Sequence, residues 1–150
     1  MQFKFDDGGR SVAGFKGKTG DCVVRAIAIA AKKPYKEVYD ALEWRNRCYA
    51  VEKRGRVAKK LKARGASPRN GNFKEVYTDY IESLGFKWTP TMLIGSGCKV
   101  HLKDGELPMG RLIVNVSKHL LACIDGVIHD IYDDQRGGTR CVYGYWSKIV

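Results

Sequence analysis

Apolar residues in the first half of the chain recur at helical spacing. Three helices are predicted, each with a recognisable start or stop: Cys22 to about Lys32, Tyr35 to about Arg47, and Asn72 to Leu84. Asp21 precedes the first as a natural N-cap, Pro34 opens the second, and Gly85 ends the third. Cys22 therefore falls in the first turn of an alanine-rich, apolar helix.

After Gly85 the pattern changes to short runs rich in β-branched residues and bounded by turn residues. Together with an N-terminal edge strand, these runs predict six strands: Met1–Phe5, Phe86–Trp88, Arg111–Val116, Leu120–Ile124, Val127–Tyr132 and Cys141–Trp146. Helices followed by strands indicate an α+β fold in which N-terminal helices pack on a C-terminal antiparallel sheet. The length of 150 residues fits one domain, residues 1–150.

The two strands around Asp125-Gly126 predict a specific arrangement of side chains. Asp-Gly between apolar runs is a strong signal for a two-residue hairpin, in which Ile124 pairs with Val127. Side chains alternate between the faces of a strand, so six residues should share one face: His119, Leu121, Cys123, Ile128, Asp130 and Tyr132. On that face His119 and Asp130 are diagonal neighbours, whereas His129 lies on the other.

Cys22, His119 and Asp130 are the candidate catalytic residues. Free amides and the helix dipole would stabilise a thiolate at Cys22, and a nearby protonated histidine would lower its pKa further. His119, oriented by Asp130, would be the general base. Each residue also has a structural interpretation: Cys22 as a packing residue, His119 as a buried or solvated strand residue, and Asp130 as a strand end. The combination favours a functional site.

Most of the net charge of +11 lies in one segment. Residues 45–69 contain ten Lys/Arg and one acidic residue, while the other 125 contain 17 Lys/Arg and 15 Asp/Glu. We expect a basic excursion at about residues 45–71, between two helices, on a nearly neutral domain. The candidate nucleic-acid contacts are Arg54, Arg56, Lys59, Lys60, Lys62 and Arg64. The alternative is a solvated segment without a ligand.

The N-terminal residues and the cysteines indicate in which cellular compartment the protein is expected. Charged residues stand in the first six positions where an export segment would be apolar, and Arg25 interrupts the apolar run of the first helix. We therefore expect a cytoplasmic protein without a membrane partner, whose five cysteines are free thiols. No cofactor or metal is predicted; zinc at Cys98 and His101, with Cys123 or Cys141, is the weaker alternative.

The order of a cysteine on an early helix and a histidine and an acid on late neighbouring strands resembles a minimal papain-like cysteine peptidase. The segments around Asp7-Gly8-Gly9-Arg10 and Gly20-Asp21-Cys22-Val23-Val24-Arg25-Ala26-Ile27-Ala28 also resemble small uncharacterised proteins encoded by bacteriophages and bacteria. Further similar segments lie at residues 94–98, 125–130 and 140–146. This second resemblance implies no activity, but it implies the host-cell cytoplasm as location if the gene is phage-borne.

The papain-like resemblance implies a papain-like arrangement of the fold and a thiol hydrolase that cleaves a peptide, isopeptide or amide bond in a protein or peptide substrate. It implies Cys22 as nucleophile, His119 as base and acid, and Asp130 as the orienting group. One departure is visible: such enzymes usually have a glutamine shortly before the cysteine as an oxyanion donor. Here the loop offers Lys16, Lys18 and Thr19 instead. The alternative function is a non-enzymatic nucleic-acid- or protein-binding module.

Overall fold

The computed structural model describes residues 1–17 and 20–148. Within these residues it contains four α-helices: α1 (Cys22–Ala31), α2 (Tyr35–Glu52), α3 (Arg56–Arg64) and α4 (Lys74–Ser83). The strands are β1 (Gln2–Phe5), β2 (Phe86–Pro90), β3 (Arg111–Val116), β4 (His119–Ile124), β5 (Val127–Asp130) and β6 (Val142–Lys148). The predicted α+β class is confirmed.

The six strands form a single mixed sheet in the order β1-β5-β4-β3-β6-β2. The prediction of an antiparallel sheet is wrong at one edge, because β1 pairs in parallel with β5, Gln2 opposite Val127 and Phe5 opposite Asp130. A parallel pair requires a crossover connection, and here the crossover contains nearly the whole chain. No local pattern could indicate that partner.

The helices cover one face of the sheet, as predicted. Val24 and Ile27 of α1 are fully buried against Ile113 of β3 and Ala122 of β4. Apolar residues of α2 and α4 complete this core. The opposite face is covered by the segment between β2 and β3, whose Leu102 packs on the strands. The sheet therefore lies between a helical layer and a layer of loops.

The basic segment has more regular structure than its composition indicates. Helix α2 extends to Glu52, beyond the predicted end near Arg47, and α3 occupies Arg56–Arg64 where we predicted only an excursion between two helices. Val57 and Leu61 of α3 pack with Val76 of α4. These few apolar positions are surrounded by lysine and arginine, so charge obscured their helical spacing.

The prediction of five free thiols is also wrong. Cys98 and Cys141 form a disulfide between the covering loop and the residue before β6, whereas Cys22, Cys48 and Cys123 are free. The bond engages two of the sulfurs on which the zinc alternative depended. Within the residues described, no helix is long and apolar enough to cross a membrane.

Gly144 allows two tryptophans to pack at the β2–β6 pair. Trp88 and Trp146 are directly opposite in the ladder, with ring centroids 4.4 Å apart. A Cβ atom at residue 144 would lie 2.3 Å from the Trp88 ring and 2.9 Å from the Thr89 carbonyl oxygen. The absence of a side chain at Gly144 is therefore a packing requirement.

Gly144→Ala should lower the free energy of unfolding by about 1–3 kcal/mol, because the added methyl group displaces the Trp88 ring. Urea denaturation measures this cost. The control is the same substitution in a Trp88→Phe background, where the clashing ring atoms are absent and the cost should shrink. Equal costs in the two backgrounds would exclude this contact as the cause.

Candidate active site

The β4–β5 hairpin has the predicted register. Asp125 and Gly126 both have positive φ, 48° and 80°, as a two-residue turn of this type requires, and Ile124 pairs with Val127. His119 Nε2 lies 2.6 Å from Asp130 Oδ2, and both side chains are buried. His129 is instead 3.2 Å from Asp6, on the other face. The hairpin therefore brings together the histidine and the acid that we predicted.

Cys22 is the first residue of α1, and the packing of α1 on β4 places it at the start of that strand. Burial alone would raise the pKa of its thiol, but a hydrogen bond with His119 and another from the Leu120 amide outweigh burial. The charges of His119 and Arg25 act in the same direction, so the pKa of Cys22 is lowered. The structure thus favours a thiolate.

His119 has the complementary shift. Burial would lower the pKa of the imidazole, yet hydrogen bonds to Asp130 and Cys22, with their negative charges, raise it to about 9. Tyr132 stacks on the ring, its centroid 5.8 Å away. Because Nε2 faces Asp130, the other ring nitrogen, Nδ1, is left for the sulfur. The two pKa shifts run in opposite directions, and both favour an ionised Cys22–His119 pair supported by the Asp130 carboxylate.

Asp21 occupies the N-cap position, but its carboxylate does not cap the helix. It is fully buried, accepts hydrogen bonds from Arg25 Nη1 and, at 2.7 Å, from the Tyr35 hydroxyl, and lies 3.5 Å from Arg10. This corrects our expectation of a capping aspartate. The first-turn amides of α1 are left without a side-chain cap beside the sulfur.

Arg25 is a residue of the site that we did not predict. Its guanidinium contacts Asp21 and extends to Asp130, with Nη2 3.6 Å from Oδ1. The same Oδ1 accepts a hydrogen bond from the Ile131 amide at 2.7 Å. Both oxygens of Asp130 are thus oriented. The sequence signal was an arginine within an otherwise apolar helix, which we took only as evidence against a membrane span.

A cleft of about 360 Å³ opens beside Cys22. His119 and Tyr77 line it together with three polar residues that we did not single out: Asn72, Asn115 and Lys118. A more open cavity of about 600 Å³ lies elsewhere, around Met1 and Asp104, and neither Cys22 nor His119 lines it. We assign the smaller cleft to the site because Cys22 and His119 both line it.

The two asparagines of the cleft differ in which of their hydrogen-bonding atoms are free to contact a ligand. Asn72 Nδ2 donates to the Pro68 carbonyl at 2.9 Å, and its buried Oδ1 has no hydrogen-bond partner among the described residues. Asn115 lies on the helix-facing side of β3, and its amide has no partner among the described residues. The sequence feature that could have indicated Asn115 is a polar residue at an inward-facing position of a buried strand.

Of the three residues that the loop offers in place of the missing glutamine, the structure describes only Lys16, and Lys16 does not line the cleft. The side chain of Lys16 is exposed and is not among the residues that line it; the Lys16 carbonyl accepts a hydrogen bond from Arg69. Lys18 and Thr19 lie outside the described residues. Among the described residues that line the cleft, Asn115 has a side-chain amide without a hydrogen-bond partner, which makes it a candidate oxyanion donor.

The six candidate nucleic-acid contacts are all exposed, five of them on or next to the outer face of α3. Within residues 1–17 and 20–148, none of the six has a carboxylate partner. The sixth, Arg64, lies against other parts of the protein: its Cζ is 4.3 Å from the Phe73 ring centroid, and Nη2 donates to the Gly71 carbonyl at 3.2 Å.

Comparison with known proteins gives no match: no protein-family model fits the chain, and no curated protein or solved structure is significantly similar to it. The resemblance to papain-like peptidases and to phage and bacterial proteins therefore stays a prediction, carried by the residues named above.

Asp130→Asn should lower the pKa of His119 from about 9 and raise that of Cys22, because the imidazolium loses its charged partner. The expected shift is about one to two pKa units, measured as the pH dependence of iodoacetamide alkylation at Cys22 and by NMR of the His119 ring. Asp6→Asn is the matched control, since Asp6 pairs with His129 on the other face. An unchanged Cys22 pKa in Asp130→Asn would disprove the coupling.

Proposed function

We propose that the protein is a thiol hydrolase with a papain-like arrangement, which cleaves a peptide, isopeptide or amide bond through an acyl-enzyme on Cys22. The observation that carries this proposal is that Cys22, at a helix N-terminus, lines the same cleft as His119, whose Nε2 lies 2.6 Å from Asp130 Oδ2. A buried thiol that served only for packing would have its pKa raised by burial, whereas that of Cys22 is lowered.

The chemistry divides between two residues. The Cys22 thiolate attacks the carbonyl carbon, and the carbonyl π electrons move to oxygen to give a tetrahedral oxyanion. Collapse of this intermediate breaks the C–N bond while the His119 imidazolium donates its proton to the leaving amine. Neutral His119 then takes a proton from water, whose oxygen attacks the thioester. Release of the carboxylic acid regenerates the thiolate and the imidazolium.

The oxyanion would be stabilised by two kinds of donor. The Cys22 amide belongs to the uncapped first turn of α1, where the helix dipole also favours negative charge. The Asn115 side-chain amide lines the same cleft and has no competing partner among the described residues. This pair would take the place of the glutamine that papain-like enzymes usually have before the cysteine.

Wild-type protein incubated with a proteome-derived peptide library should generate new termini, detected by mass spectrometry, together with a transient adduct on Cys22. Cys22→Ala and His119→Ala should abolish both, and Asn115→Ala should lower kcat by roughly 10²- to 10³-fold, as expected for loss of one oxyanion donor. The pH profile should be bell-shaped, with its alkaline limb near the His119 pKa of about 9. Cleavage that persists in Cys22→Ala would refute the proposal.

A second candidate, non-enzymatic nucleic-acid binding, rests on the cationic outer face of α3. Five exposed cations occupy one short helix and the residues before it: Arg54, Arg56, Lys59, Lys60 and Lys62. Each cation that contacts a phosphate would release counterions, so binding would weaken steeply with salt.

If this second candidate is right, neutralising Lys59, Lys60 and Lys62 to glutamine should reduce the slope of log affinity against log salt by about 2–3 for duplex DNA. Fluorescence anisotropy over a salt series measures it. Replacement of three exposed lysines elsewhere, Lys4, Lys87 and Lys99, is the charge-matched control. Failure of the wild-type protein to retain DNA or RNA at low salt would remove this candidate.

A further inference from the structure

The cleft beside Cys22 has cations at its edges and no carboxylate among the described residues that line it. On the sheet side, the exposed Lys118 belongs to the turn between β3 and β4, directly before His119. On the helical side, Gly71 lines the cleft, and the Arg64 guanidinium donates to its carbonyl at 3.2 Å. One positive side chain, Lys118, thus lines the cleft, and a second, Arg64, contacts the backbone of a residue that lines it.

The neighbouring negative charges are already engaged. Asp21 is paired with Arg25, and Asp130 lies between His119 and Arg25. Neither Lys118 nor Arg64 has a carboxylate partner in the described part of the chain. No acidic group therefore neutralises either charge, and the basic segment that includes Arg64 adds to the positive potential of that side.

We propose that the cleft selects an acidic polypeptide segment, with Asp or Glu side chains flanking the bond presented to Cys22. This deepens the proposed function, on which it rests. An acidic polypeptide fits better than a nucleic acid because the described residues that line the cleft offer no exposed ring for base stacking: Tyr77 is only 6% exposed and His119 only 8%. Asn72 Oδ1 and the Asn115 amide provide an acceptor and a donor suited to a peptide backbone.

The decisive measurement compares iodoacetate with iodoacetamide, two alkylating reagents of the same chemistry that differ by one negative charge. The measured quantity is the alkylation rate with iodoacetate divided by the rate with iodoacetamide, resolved at Cys22 by mass spectrometry. This ratio should be higher for Cys22 than for the thiol of glutathione. It should fall roughly two- to fivefold in Lys118→Gln and in Arg64→Gln, the effect of removing one charge near the surface. Added salt should reduce it in the wild-type protein.

Two variants separate charge from structure. Arg64→Lys retains the charge without the same hydrogen-bond geometry and should keep the wild-type ratio. Lys32→Gln is the control for Lys118→Gln. Both lysines are exposed and have nearly the same positive φ, 55° and 57°, but Lys32 lies at the other end of α1 from Cys22. Lys32→Gln should also leave the ratio unchanged. A ratio that is the same in the wild type, Lys118→Gln and Arg64→Gln would overturn the proposal.

The polymer itself is tested by protection of Cys22 from iodoacetamide. Oligoglutamate should slow alkylation at least twofold and oligoglutamine should not. Stronger protection by single-stranded DNA than by oligoglutamate at equal charge would overturn the choice of polypeptide. A Cys22 that reacts as slowly with both reagents as an ordinary thiol would refute the hydrolase, while the ratio would still report the charge of the cleft. The two failures are therefore distinguishable.

Discussion

The buried carboxylate of Asp21 is the constraint on which the rest of the structure depends. A charge removed from water costs several kcal/mol unless it is fully paired, and Asp21 is paired by Arg25, Tyr35 and Arg10. These partners come from α1, α2 and the N-terminal loop, so satisfying one carboxylate fixes three segments. Gly8 allows the loop to approach, since a Cβ there would lie 3.2 Å from the Arg25 carbonyl. Removing a partner from such a network typically costs about 3–5 kcal/mol.

The same network determines the electrostatics of the thiol. An unpaired carboxylate next to Cys22 would oppose ionisation of the sulfur, whereas a paired one leaves the helix N-terminus and His119 to dominate. Arg25 extends the network to Asp130 and so connects the cap position of α1 with the support of His119. Two segments that are separate in sequence, Asp7–Arg10 and Gly20–Ala28, meet here. Arg10 and Arg25 in these segments are needed to pair the buried Asp21 carboxylate, whether or not Cys22 takes part in a reaction.

Features determined by neighbours in sequence could be predicted, and features determined by distant partners could not. The Asp125-Gly126 turn specifies its own register, so the shared face of His119 and Asp130 followed from the residues alone. The parallel β1–β5 pair and the Cys98–Cys141 bond join distant segments that carry no mutual pattern. Helix α3 has only three buried residues among many charged ones, so the helical spacing of its apolar residues was difficult to recognise. Asn115 is a polar residue within an apolar strand, which the sequence shows. Its place in the cleft follows only from the packing of α1 on the sheet.

The location of β1 and β5 has a consequence for synthesis of the chain. Cys22 leaves the ribosome early, but His119 and Asp130 follow about a hundred residues later, and the Asp6 amide donates to the Asp130 carbonyl only when both ends of the fold meet. Contacts so distant in sequence form late in folding, because chain entropy must be lost before they contribute. Until then the thiol lacks its imidazole partner and keeps the low reactivity of an ordinary cysteine. The structure therefore couples the reactivity of Cys22 to the closing of the β1–β5 pair.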